Sequence, residues 1–183
     1  MQLHLPPVLS YHSLAHTLDV YQSAQTLAKA EGITGQALML LKTAALYHDS
    51  GFIHGMDEHE QRSCEIARKH LPEFGFTSAE VKQICSMIMA TKLPQSPSHK
   101  LEEILCDADL DYLGRKDFYT IGHTLFQEFK SRGIVQGEED WNRLQVQFLH
   151  AHTYFTPTAQ KLRAPQKARY LAELEAIVSS YAA

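Results

Sequence analysis

Two histidines and two aspartates carry the first chemical signal in this sequence: His16, His48, Asp49 and Asp109, separated by 32, 1 and 60 residues. Imidazole nitrogen with carboxylate oxygen suits one divalent ion of the Mn²⁺, Fe²⁺, Co²⁺ or Ni²⁺ type, and a carboxylate-rich site also accepts Mg²⁺. The set contains no thiolate, which argues against a structural zinc site. Histidine is also the proton carrier of neutral pH, and eight of the 11 histidines precede residue 101. Residue type alone leaves some choices open. His12 lies one helical turn before His16 and shares its face. Asp107 stands two positions before Asp109, where capping or surface exposure accounts for it, and Asp111 reads as a surface or turn residue. His48 and Asp49 are neighbours, and neighbours in a regular helix point apart. They converge only if the last turn of their helix opens.

The elements that must bring these groups together read as helices. Ser10 is a cap for a helix from about Tyr11 to Ala30, ending at Gly32, with Leu14, Leu18, Tyr21, Leu27 and Ala28 as its apolar stripe. Thr34 starts a second helix, apolar on most faces and therefore central, which Gly51 ends just after His48 and Asp49. FIHGMD reads as a loop. A third helix spans about Glu58 to His70 and stops at Pro72. Thr77 with Glu80 is a capping box for a fourth, ending by Lys92. LPQSPSHK is a loop, followed by a helix from about Lys100 to Leu110. Three more are expected near Phe118–Lys130, Glu139–Thr153 and Pro157–Ser179, with Thr156 capping the last and Pro165 placed to kink or split it. Strand-like alternation is scarce. The expected fold is all-α, a single-domain helical bundle over 1–183, with the site in about 10–115 and C-terminal helices over 116–180.

Composition narrows the function further. The chain has 183 residues, 44% hydrophobic and 21% charged, with a formal charge of −4, which fits an ordinary globule. That balance argues against a partner that coats a nucleic-acid polymer, while leaving room for a small phosphorylated ligand. The basic run Lys161, Arg163, Lys167 and Arg169 reads as a solvated helix face. Cys64, Cys85 and Cys106 form no paired motif and read as reduced, buried thiols of a cytoplasmic protein. The opening MQLHLPPVLS has no basic region and does not read as a signal peptide. No run approaches the roughly 20 apolar residues of a membrane span. P-loop, dinucleotide-fold and zinc-finger spacings are absent.

The segments YHSLAHTLDV, AALYHDSG and ILCDADLDYLG together resemble the HD-domain metal-dependent phosphohydrolase superfamily, over roughly residues 10–115. The resemblance makes His16 the first ligand, His48 and Asp49 the paired ligands, and Asp109, in preference to Asp107, the last. His12 is then a second-shell or substrate-facing group. Some superfamily members hold two metals, with a further histidine where this chain reads Ala90-Thr91, so one ion is expected here. His59 and Glu58 would line the pocket mouth and, with Asp49, are the candidates to accept the proton of an attacking water. Lys92 and Arg115 are the expected phosphate-binding cations. The implied reaction is attack of metal-bound water on phosphorus in a nucleotide or another small phosphorylated metabolite. Ser50-Gly51-Phe52 stands where guanosine tetraphosphate hydrolases of the superfamily carry a Glu-Asp pair, which argues against that activity. The alternative is a nucleotide-binding regulatory HD module with little turnover. A two-iron oxygenase is a third reading, and Ala90 counts against it.

Overall fold

The computed structural model describes residues 8–181, and every regular element among them is helical, as the all-α expectation requires. Residues 1–7 of the opening segment MQLHLPPVLS lie outside the described residues. The chain gathers into two compact units.

The first unit runs from His12 to Leu110. It contains α1 (Leu14–Ala30), α2 (Gly35–Tyr47), a 3-10 helix (Ser50–His54), α3 (His59–His70), a short 3-10 turn (Leu71–Phe74), α4 (Ser78–Ala90) and α5 (Lys100–Asp109). Ser13, not Ser10, caps α1: its hydroxyl accepts the His16 N–H at 3.4 Å. The buried face also differs from the expected stripe. His16, Thr17, Val20, Ala24 and Leu27 face inward, whereas Leu18, expected in the apolar stripe, is exposed. α2 is central as its composition demands, packed against α1, α4 and α5. Leu41, Ala44 and Ala45 on it are wholly buried, and a buried leucine of this kind contributes about 2 kcal/mol. α4 carries the expected capping box, Thr77 and Glu80 each bonding the other's backbone.

Two departures shape the site. α2 ends at Tyr47, four residues before Gly51. FIHGMD is also not all loop: Asp49 precedes the 3-10 helix, which tucks against α3. α3 then starts abruptly, because Glu58 takes a left-handed conformation (φ 52°) just before His59.

The second unit comprises residues 8–11 and 111–181. It holds a 3-10 helix (Asp111–Gly114), α6 (Phe118–Ser131), α7 (Glu138–Ala151) and α8 (Pro157–Ser180). Thr156 caps α8 as expected, accepting the Ala159 N–H at 3.2 Å. Pro165 does not split α8, which runs through it as one element. Asp111 is not a surface residue. It is buried, and the Arg163 guanidinium grips both its oxygens, at 2.6 and 3.2 Å. Lys167 closes the end of α7, donating to the Leu149 carbonyl at 3.0 Å and to the His152 carbonyl. Two of the four cations read as a solvated face are therefore fasteners.

Candidate metal centre

Four side chains from three helices of the first unit meet at one point. His16 stands in the first turn of α1, where the Ser13 cap fixes the chain's entry. Asp109 is the last residue of α5. His48 keeps helical backbone angles just past α2, but Asp49 leaves them (φ −104°, ψ 6°). That break lets adjacent residues aim the same way. His48 Nε2 and Asp49 Oδ2 are 3.2 Å apart.

The separations that involve His16, and that between His48 and Asp109, are similar. His16 Nε2 lies 3.3 Å from His48 Nε2, 3.4 Å from Asp49 Oδ2 and 3.2 Å from Asp109 Oδ1. His48 Nε2 is 3.4 Å from Asp109 Oδ1. Donors bonded to one ion at about 2.0–2.2 Å, at angles between square and tetrahedral, stand roughly 2.8–3.6 Å apart. All five distances fall in that interval.

Two further observations test the fit. His48 Nδ1 sits 2.8 Å from the Ala45 carbonyl; it donates there, which leaves Nε2 facing inward as a lone pair for a ligand. Asp49 Oδ2 is buried and makes no well-aligned hydrogen bond; what faces it are the two imidazole nitrogens, at 3.2 and 3.4 Å. A buried carboxylate oxygen in that position needs a cation. His16, His48 and Asp49 form the group whose donor atoms all lie within 4.8 Å of one another; Asp109 is not in that group and joins through its contacts with the two imidazoles. The residues fit a divalent ion.

Without an ion, protons supply the missing positive charge. Burial opposes a charge on His16, but hydrogen bonds to Asp109 and Asp49 outweigh it and raise His16 to about 9. Burial of His48 is outweighed in the same way, by the Asp49 charge and by both carboxylates as acceptors, and His48 rises well above the ordinary imidazole range. Burial would raise Asp49 and Asp109, yet the two imidazoles hold both below the usual carboxylate range.

Beside the four candidate ligands stands a wall of rings. His12 and His59 both stack on Phe52, with centroids 4.2 and 4.1 Å away. His59 Nε2 approaches the other oxygen of Asp49, Oδ1, at 3.6 Å and Glu60 Oε1 at 3.3 Å. Glu60, an acidic residue in the first turn of α3 where the helix dipole favours it, is buried. Its position in the first turn of α3 was the available signal. Glu58 is exposed, with its carbonyl accepting the Arg62 N–H. Asp107, the rival to Asp109, is wholly buried and is not exposed. Lys92 is exposed just past α4. Arg115 lies in the second unit, where its guanidinium is held by Asp117 at 2.8 and 3.0 Å and by Asp111 at 3.4 Å. Cys64, Cys85 and Cys106 are buried free thiols.

A family model described as the HD domain matches residues 13–111. No curated protein matches the chain. Among solved structures, a predicted HD superfamily hydrolase from an uncultured Thermotogales bacterium is similar at a TM-score of 0.60 and 23% identity, over 93% of this chain and 82% of that one. At that identity the likeness concerns the fold.

Proposed function

The chain belongs to the HD domain family, and from that premise we propose that it is a metal-dependent hydrolase of phosphate esters, acting on a nucleotide or another small phosphorylated metabolite. The observation that carries the proposal is the convergence of His16, His48, Asp49 and Asp109, in which the buried Asp49 Oδ2 faces both imidazole nitrogens and Asp109 Oδ1 approaches the same two. One divalent ion of the Mn, Fe, Co, Ni or Mg type, held by those four residues, would supply a Lewis acid that acidifies water and neutralises phosphoryl charge.

The chain's own groups divide the remaining work. The bond from His48 Nδ1 to the Ala45 carbonyl fixes the tautomer that presents Nε2. His59, 3.6 Å from Asp49 and backed by Glu60, is placed to accept a proton beside the ligands. His12, stacked on the same Phe52 ring, is the group we assign to donate to an anionic substrate. Glu58 and Lys92, both exposed, remain candidates for contacts at the mouth. The buried free thiols fit a cytoplasmic location, and among the described residues no helix is long and apolar enough to cross a membrane.

The test is metal-resolved turnover. The protein is stripped of metal, each of the five ions is added singly, and phosphate and pyrophosphate release is followed over a nucleotide and sugar-phosphate panel beside Asp109→Ala. Turnover that requires metal and vanishes in the variant supports the proposal. Stoichiometric metal binding with no turnover across the panel refutes it and favours a regulatory module that binds nucleotide.

A further inference from the structure

Aiming His48 and Asp49 at one point requires backbone that is neither helix nor free loop, and something must hold it. The two residues sit between the end of α2 and the 3-10 helix. Their own side chains do not cap that helix. The restraint comes from α3. The Ser63 hydroxyl donates to the His48 carbonyl at 2.6 Å and accepts the Gly51 N–H at 2.8 Å. Ser63 is completely buried, so no water competes for either bond. A hydroxyl in mid-helix ordinarily bonds back to its own helix; this one spends its donor and one acceptor on another segment. Those two bonds bracket Asp49. One fixes the carbonyl of the residue before it, the other the amide two positions after it. Farther along, Arg62 donates to the His54 carbonyl at 3.0 Å and ties down the far end of the same 3-10 helix.

We infer that Ser63 is the positioning residue of the metal centre, setting through the His48 carbonyl and the Gly51 amide the backbone turn that lets adjacent ligands converge. The inference rests on the metal reading of the site but not on any substrate. Ser63 touches no ligand atom; it acts on the peptide groups that carry them. Outer-shell partners of this kind change metal affinity about 10–100-fold when removed.

The experiment compares Mn²⁺ affinity of the full chain, read from the free-ion paramagnetic resonance signal, in the wild type, Ser63→Ala, Ser63→Thr and Val81→Ala. Val81 is a buried apolar residue of α4, and its truncation is the control for lost stability alone. Ser63→Ala is expected to weaken Mn²⁺ binding about 10–100-fold, Ser63→Thr to restore most of it, and Val81→Ala to bind within about twofold of wild type despite a lower melting temperature. Exchange of the Gly51 amide in the metal-free protein provides a second readout and is expected to speed up about tenfold in Ser63→Ala. Ser63→Ala binding as tightly as wild type, or Val81→Ala weakening as much as Ser63→Ala, overturns the inference. If the wild type binds no Mn²⁺, the metal reading falls instead; the amide exchange then decides the clamp, and unchanged exchange overturns it.

Discussion

Adding one methyl group at Gly51 tests whether the ligand segment is wedged against α3. A Cβ built there lies 2.0 Å from the His59 carbonyl oxygen, 2.8 Å from that carbonyl carbon and 2.8 Å from the Ser63 nitrogen. All three are backbone atoms of the first turns of α3, so no side chain can swing aside. Ordinary contact begins at about 3.4 Å, and Gly51→Ala must therefore part the segments by about 1.4 Å. Here the glycine is demanded by space; its φ is not in the left-handed region. Overpacking costs about 1–3 kcal/mol, and the bond from the Gly51 N–H to Ser63 contributes about 1 kcal/mol more. The sum, about 2–4 kcal/mol, lowers the melting temperature by about 4–16 °C for a chain of this length. Metal sites tolerate only about 0.2 Å of error in ligand distance, and Asp49 is two residues away, so Mn²⁺ affinity should fall more than tenfold as well. Urea and thermal unfolding of the metal-free protein give the first quantity and Mn²⁺ titration the second. A melting temperature within 2 °C of wild type, with affinity unchanged, would refute the wedge.

Three other predictions follow from the site and its surroundings. Because His16 is raised to about 9, its bonds to Asp109 and Asp49 stabilise the metal-free protein fully below the ordinary imidazole pKa of about 6.5, and that stability, about 3 kcal/mol, fades as pH rises through 9; a metal-free melting temperature that stays flat from pH 6 to 10 would contradict this. Over the same range metal displaces those protons, so calorimetry should show protons released on loading and affinity rising with pH. His59→Gln should keep metal binding yet lower turnover about 10²–10⁴-fold, and a variant that loses metal instead would make His59 a ligand. Asp111→Asn breaks the buried pair with Arg163 and should cost about 3–5 kcal/mol in chemical unfolding, whereas the surface role read from sequence would leave stability unchanged.

The four candidate ligands were legible through the order in which three motif segments present them, a resemblance to a known family; residue type alone left His12 beside His16 and Asp107 beside Asp109. The capping box and the central α2 were legible more directly, since Thr77 with Glu80 and an apolar run state their roles locally. What failed was helix phase and helix ends. Ser10 and Ser13 are chemically equivalent caps, and only the backbone shows that the later one is used. Leu18 stands two positions from His16, on the opposite side of the helix, so the inward turn of His16 leaves it exposed. Asp111 and Arg163 look like surface charges because nothing local reveals a partner 52 positions away.

Ser63 shows the same limit more sharply. A serine in HEQRSCEIA carries no signal of its own, since its role depends on which way α3 is turned and on how close the 3-10 helix lies. Yet the sequence did pose the problem it solves. Two neighbouring ligands cannot share a target from within an α-helix, so the helix had to end at His48, and an open chain end that must hold aim within a few tenths of an ångström needs outside restraint. Gly51 and Ser63 are that restraint from opposite sides: one residue small enough to let the backbones touch, the other polar enough to bind them once they do. The ligand pair and its clamp are therefore one device spread over 16 residues, His48 to Ser63, and a substitution at either end of it should reach the metal through the backbone between them.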